Sequence, residues 1–131
     1  MSARSSPLAR VLMFSAIAEI ATGIGLVVSP AFVVSNLLAP VTSELIIPVA
    51  RIAGIALIAL SLACWTGWNR VGDGAFRALL TYNLLVAAYL ALLGTAGHMR
   101  GLLLWPTVAL HALVTALLLF FWKAETSRPG S

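Results

Sequence analysis

Apolar residues occupy four long stretches of the chain, each about the length that crosses a lipid bilayer. A transmembrane helix needs about 20 mainly apolar residues. Four stretches meet this requirement: 8–28, 45–66, 75–94 and 102–122. Ser29-Pro30 ends the first stretch, because proline disfavours helix in the residue before it. The pattern predicts an all-α protein with one membrane domain over 1–131, an antiparallel four-helix bundle.

The longest connection, 29–44, is itself apolar in the middle. Its segment Ala31–Ala39 is too short to span a bilayer. We expect this outer loop to contain a short interfacial helix or re-entrant segment that lies over the end of the bundle as a lid.

Composition excludes several classes of protein. Of the 131 residues, 61% are apolar and 9% carry a formal charge, against about 25% charged residues in soluble domains. A soluble enzyme and a disordered chain are therefore excluded. The net charge of +4 comes from basic residues scattered around apolar blocks, which does not fit nucleic acid. The expected surroundings are a lipid bilayer with anionic head groups.

Basic residues predict the orientation of the spans, because cytoplasmic loops carry an excess of Lys and Arg. If both termini lie on one side of the membrane, that side carries six Lys and Arg residues, and the opposite side carries Arg100. The six are Arg4, Arg10, Arg70, Arg77, Lys123 and Arg128. Both termini are therefore expected to be cytoplasmic, in a multi-pass protein of a cell membrane.

Each predicted span contains one strongly polar side chain near its middle: Glu19, Arg51, Asn83 or His111. An ionisable group at the centre of a membrane helix costs about 2.5–3.5 kcal/mol on insertion scales, so such groups normally face the protein interior. At about 1.5 Å of rise per residue, these four side chains can meet at one depth. We expect them to surround a small polar cavity.

Further polar residues share faces with these four. Ser15 and Thr22 stand at i−4 and i+3 from Glu19, Thr107 and Thr115 flank His111, and Tyr82 precedes Asn83. We interpret Asn83, Tyr82 and the four hydroxyl residues as candidate ligand-binding groups.

Close helix packing is indicated by small residues four apart. Ala21 and Gly25 form one such pair, and Ala50 and Gly54 form another. Small residues at this spacing let membrane helices approach closely. The pattern does not decide between a homo-oligomer and a subunit of a larger membrane complex.

The candidate catalytic residues are Glu19, Arg51 and His111. Arg51 would keep Glu19 ionised and stabilise developing negative charge, and His111 would move a proton. This set suits a lipophilic ligand with a polar head, such as a quinone or an isoprenoid or sterol-like molecule, bound with or without acid–base chemistry. With one membrane histidine and the single Cys64, no metal site is expected.

Two other functions stay open. One is a proton-coupled transporter of small molecules, in which Glu19 alternates between a proton and the substrate. The other is a structural accessory subunit of a membrane complex, in which Glu19 and Arg51 form an ion pair that fixes the helix register.

Two resemblances bear on these alternatives. The segment from Ala18-Glu19 to Gly23 and Gly25, followed by Arg51-Ile-Ala-Gly54, resembles the DoxX-like group of small four-helix bacterial membrane proteins. That resemblance implies a bacterial inner membrane and a quinone or lipid ligand near Glu19 and Arg51. The chain is also similar in size, span number and first-span Ala-Glu to the small multidrug resistance transporters. It departs from them in its long first loop and in Arg51, whose charge at the site would repel a cationic substrate.

Overall fold

The computed structural model describes residues 6–38, 43, 45–65, 73–96 and 100–127. They form five α-helices: α1 Pro7–Val28, α2 Pro30–Leu37, α3 Ile46–Ala63, α4 Asp73–Thr95 and α5 Leu104–Thr126. No β-strand occurs among these residues. Four of the helices, α1, α3, α4 and α5, are long and apolar enough to cross a membrane. The all-α class and the four spans are confirmed, and the chain has the character of a multi-pass membrane protein.

Proline and serine set several helix ends. The hydroxyl oxygen of Ser6 accepts a hydrogen bond from the backbone amide of Ala9, and Pro7 is the first residue of α1, a position where its missing N–H has no cost. Ser29 alone separates α1 from α2, which begins at Pro30.

Two helices depart from their expected lengths. Helix α3 ends at Ala63, and α5 continues to Thr126, one turn beyond its apolar stretch. Several predictions fall outside the described residues: the span end at Thr66, loop residues 39–42 and 44, and the basic residues Arg4, Arg70 and Arg128.

Helix α1 is the centre of the packing. Its most extensive partner is α3, and it also contacts α5, α2 and α4, while α4 packs mainly on α5. The crossing with α3 is close because Gly23 and Gly54 face each other: a Cβ atom on Gly23 would lie 2.7 Å from the carbonyl oxygen of Gly54. Within the described ranges, α3 has no comparable contact with α4 or α5. One side of α3 is therefore uncovered.

A hydrophobic core joins four helices at one end of the molecule. It combines the first half of α1, the end of α3, the first half of α4 and the second half of α5. Its buried members are Leu8, Leu12, Cys64, Ala75, Phe76, Leu79, Val114 and Leu118. The rings of Phe76 and Trp122 stack beside this core with their centroids 4.3 Å apart. The buried polar residues of α1, α4 and α5 lie within one or two turns of this core on their helices.

Helix α2 is anchored to the start of α5 at the opposite end. The amides of Arg100 and Leu103 donate hydrogen bonds of 2.9 and 2.8 Å to the carbonyl oxygens of Leu38 and Asn36. Gly101 lies so close to the Leu37 carbonyl group that a Cβ atom at this position would clash with it. The short helix expected within 29–44 is present, although its depth relative to a membrane stays a prediction.

Candidate functional site

Three helices bring five polar side chains together in the interior. Helix α1 supplies Ser15 and Glu19, α4 supplies Tyr82 and Asn83, and α5 supplies His111. Ser15, Glu19, Asn83 and His111 are buried and Tyr82 is half-buried. We call these five residues the polar cluster. Of the four residues expected from sequence to meet, Glu19, Asn83 and His111 belong to the polar cluster and Arg51 does not.

Asn83 is the central member of the polar cluster. Its amide nitrogen donates hydrogen bonds of 2.9 Å to the Ser15 hydroxyl oxygen and 2.8 Å to the carbonyl oxygen of Leu79. Its oxygen lies 2.8 Å from Nδ1 of His111. Because the Leu79 carbonyl can only accept, the amide nitrogen must face it, which leaves the amide oxygen facing His111.

This arrangement fixes the tautomer of His111. The amide oxygen of Asn83 accepts hydrogen bonds and cannot donate them, so Nδ1 of His111 must carry a hydrogen atom. In the neutral imidazole, Nε2 then has the free lone pair. His111 can therefore accept a proton at Nε2 without breaking its hydrogen bond to Asn83.

Glu19 is buried beside the same imidazole. Its side chain is 4% exposed, and its Oε1 atom is 3.9 Å from Nδ1 of His111. The Tyr82 ring meets the His111 ring edge-on, with the ring centroids 5.8 Å apart. Two proton-binding groups, Glu19 and His111, are thus neighbours in the interior.

Arg51 is not part of the polar cluster. Arg51 is the sixth residue of α3, and its side chain is exposed. Among the described residues, the one acidic side chain within 4.0 Å of a basic side chain is Glu19, and its neighbour is His111. Arg51 is five residues after the start of α3, a distance of about 7.5 Å along the helix axis. An arginine side chain this close to a helix end is long enough to extend to the membrane surface. The expected Glu19–Arg51 pair is therefore absent from the described structure.

The threonines expected at the site occupy different surroundings. Thr115 is buried and donates a 2.8 Å hydrogen bond to the His111 carbonyl oxygen, one turn away on α5. Thr22 is exposed and donates to the Ala18 carbonyl oxygen of its own helix. Thr107 is half-buried, and its side chain forms no hydrogen bond with another described residue. Of the three, Thr115 is the one in direct contact with a member of the polar cluster.

The structure contains two features that were not predicted from the sequence: a buried serine and an apolar cavity. Ser61 on α3 is fully buried and donates to the Leu57 carbonyl oxygen; its small side chain in an apolar helix gives little signal. A cavity of about 400 Å³ with apolar lining lies between α2 and the first half of α3. It depends on the placement of α2, which a sequence pattern does not give.

The polar cluster offers acid–base chemistry and hydrogen bonds, and it has few groups that bind metals. Among the residues the structure describes, no three His, Cys, Asp or Glu side chains are close enough to hold a metal ion. No protein-family model, curated protein or solved structure matches the chain. The functional argument therefore depends on the geometry of these side chains.

Proposed function

We propose that the protein binds a lipophilic small molecule with a polar head at the polar cluster, in the interior of the membrane, and exchanges a proton with it there. The head group would carry a carbonyl or hydroxyl oxygen, as in a quinone, an isoprenoid or a sterol-like molecule. The observation that supports this most is the 3.9 Å separation of the Glu19 carboxyl group and the His111 imidazole in a buried environment.

The division of roles follows from the hydrogen bonds. Asn83 orients the imidazole through Nδ1, so Nε2 is the atom available to accept or donate a proton. Tyr82, whose ring meets the His111 ring edge-on, supplies a neutral hydroxyl donor. If the bound head group takes a proton from Glu19 and gives one to Nε2 of His111, a neutral pair becomes an ion pair with no change in net charge. This property would let the site exchange protons in a medium that penalises isolated charge.

The experiment is extraction and mass spectrometry of lipophilic compounds bound to the purified protein. We expect a compound that is retained by the wild type and lost in Glu19→Gln and His111→Ala. Thr22→Val is the matched control, because Thr22 lies on the same helix but is exposed, and it should retain the compound. Loss of the compound in all three variants, or in none, would contradict the proposal.

Proton-coupled transport is the second candidate, and one observation favours it. A fixed arginine beside Glu19 would repel a cationic substrate, but Arg51 is exposed and outside the polar cluster. Among the described residues, no arginine or lysine pairs with Glu19. A carboxylate that alternates between a proton and a cationic substrate must have no such permanent partner. This candidate predicts substrate-driven proton flux in liposomes that Glu19→Gln abolishes and Arg51→Gln preserves. Substrate uptake without proton movement would contradict it.

We also propose an antiparallel bundle with both termini cytoplasmic, in a bacterial inner membrane. The core of Leu8, Phe76, Cys64 and Leu118 supports the antiparallel order, because it joins early residues of α1 and α4 to late residues of α3 and α5. Membership of the DoxX-like group is a proposal of the same kind. Of the two polar residues on which that resemblance depends, Glu19 belongs to the polar cluster and Arg51 does not. A homo-oligomer or a role as accessory subunit of a membrane complex is compatible with the uncovered side of α3.

A further inference from the structure

An apolar groove lies at the end of the molecule opposite the hydrophobic core. It is the cavity of about 400 Å³ between α2 and the first half of α3, with Leu26 of α1 also in its lining. Val33 and Leu37 line it from α2, and Val49 and Ala53 line it from α3. Every lining residue is apolar. The groove is separate from the polar cluster, because Leu26 is seven residues, about 10 Å of helix rise, beyond Glu19.

The groove is held open by the backbone. Hydrogen bonds from Arg100 and Leu103 anchor the end of α2 to the start of α5, and the side chain of Val33, nearer the start of α2, lies against Gly25 of α1. Protein interiors tolerate few voids of this size, since atoms that line a void lose their dispersion contacts. In a membrane, the material available to fill an open apolar groove is hydrocarbon chain.

A cation stands next to the wall of the groove. Arg100 is exposed, and its own amide is bonded to the carbonyl oxygen of Leu38, a lining residue. A guanidinium group binds phosphate oxygens with two parallel hydrogen bonds. Arg51 is at the same end, but it lies about 160° around α3 from Ala53 and therefore on another side of that helix.

We propose that the groove binds one acyl chain of a membrane phospholipid whose phosphate group contacts Arg100. The lipid fixes α2 against α3, where direct contact between these two helices is sparse. The proposal is independent of the polar cluster, since none of the five cluster residues lines the groove.

The test is native mass spectrometry of the full chain, purified in detergent and supplied with phosphatidylglycerol or with diacylglycerol of the same chains. We expect the wild type to retain phosphatidylglycerol several-fold more than diacylglycerol. Ala53→Phe fills the groove and should reduce retention of phosphatidylglycerol at least about fivefold. Ala59→Phe is the control: Ala59 is exposed on α3 and does not line the groove, so retention should not change.

The phosphate contact has its own pair of variants. Arg100→Gln should remove the preference for phosphatidylglycerol over diacylglycerol, and Arg51→Gln, which removes the same charge at the same end, should preserve it. Equal retention in Ala53→Phe and Ala59→Phe, or a preference that survives Arg100→Gln, would overturn the proposal. Glu19→Gln should leave phospholipid retention unchanged. Failure of the groove proposal can therefore be distinguished from failure of the proposed function of the polar cluster.

Discussion

Asn83 links three helices through its side chain, and its removal should be costly. Replacement by leucine leaves the Ser15 hydroxyl and the Nδ1–H of His111 buried without their partner, and each unsatisfied group costs about 1–3 kcal/mol. We expect Asn83→Leu to lower the free energy of unfolding in mixed micelles by about 2–6 kcal/mol, the sum for the two groups. Thr22→Val is the control, because Thr22 bonds within its own helix at an exposed position; an equal loss in both variants would contradict the role of Asn83.

Arg51 should be dispensable for the polar cluster, contrary to the expectation from sequence. Because its side chain is exposed and forms no ion pair with Glu19 among the described residues, Arg51→Gln should change the free energy of unfolding by less than about 0.5 kcal/mol. It should also retain any compound that depends on Glu19. Loss of that compound in the purified Arg51→Gln variant would place Arg51 in the site.

The sequence predicted which polar residues would be buried better than it predicted their partners. The cost of a polar group in a membrane interior correctly indicated that Glu19, Asn83 and His111 face inward. The same rule was wrong for Arg51, which is exposed near the start of α3, where a long arginine side chain can extend to a membrane surface. The hydrogen bond by which Asn83 fixes the His111 tautomer could not be predicted from the sequence, because it depends on how α4 and α5 pack against each other.

The crossing of α1 and α3 depends on the absence of side chains at Gly23 and Gly54. A Cβ atom on Gly23 would be 2.7 Å from the Gly54 carbonyl oxygen and 2.8 Å from Cγ1 of Ile58, so the helices must move apart. We expect Gly23→Ala to lower the free energy of unfolding by about 1–3 kcal/mol. The measurement is unfolding in mixed micelles, as for Asn83→Leu.

Gly74 provides the matched control for Gly23. It lies in the first turn of α4, and a Cβ atom there meets nothing within 4 Å. Because alanine favours helix over glycine by about 0.5–1 kcal/mol, Gly74→Ala should be neutral or slightly stabilising. If both alanine variants behaved alike, the close crossing of α1 and α3 would be refuted.

At the level of elements, helix number and approximate length were predictable, and helix pairing was not. Long apolar runs and Ser29-Pro30 gave the four spans and the break before α2. Small-residue spacing correctly indicated that Ala50 and Gly54 face inward, but it singled out Gly25 on α1, whereas Gly23 makes the contact with α3. Several small residues share each helix, and the pattern alone does not select the one that meets a partner.

The proposed orientation of the whole molecule can be tested by labelling. In a Cys64→Ser background, cysteines at Ser6 and Ser127 should react with a membrane-impermeant thiol reagent from the cytoplasmic side. Arg100→Cys should react from the opposite side, since three spans separate residue 100 from Ser6 and one span separates it from Ser127. Labelling of all three positions from the same side would contradict four spans and the antiparallel order.

The central claim is that Glu19 and His111 form one coupled proton-binding pair inside the membrane. Infrared difference spectroscopy between acid and alkaline pH tests it directly, because protonated carboxyl groups give a distinct C=O band. We predict a titrating carboxyl band that disappears in Glu19→Gln, persists in the exposed control Glu125→Gln, and titrates at a different pH in His111→Gln. A band unaffected by Glu19→Gln, or a Glu19 titration that His111→Gln leaves unchanged, would contradict the account.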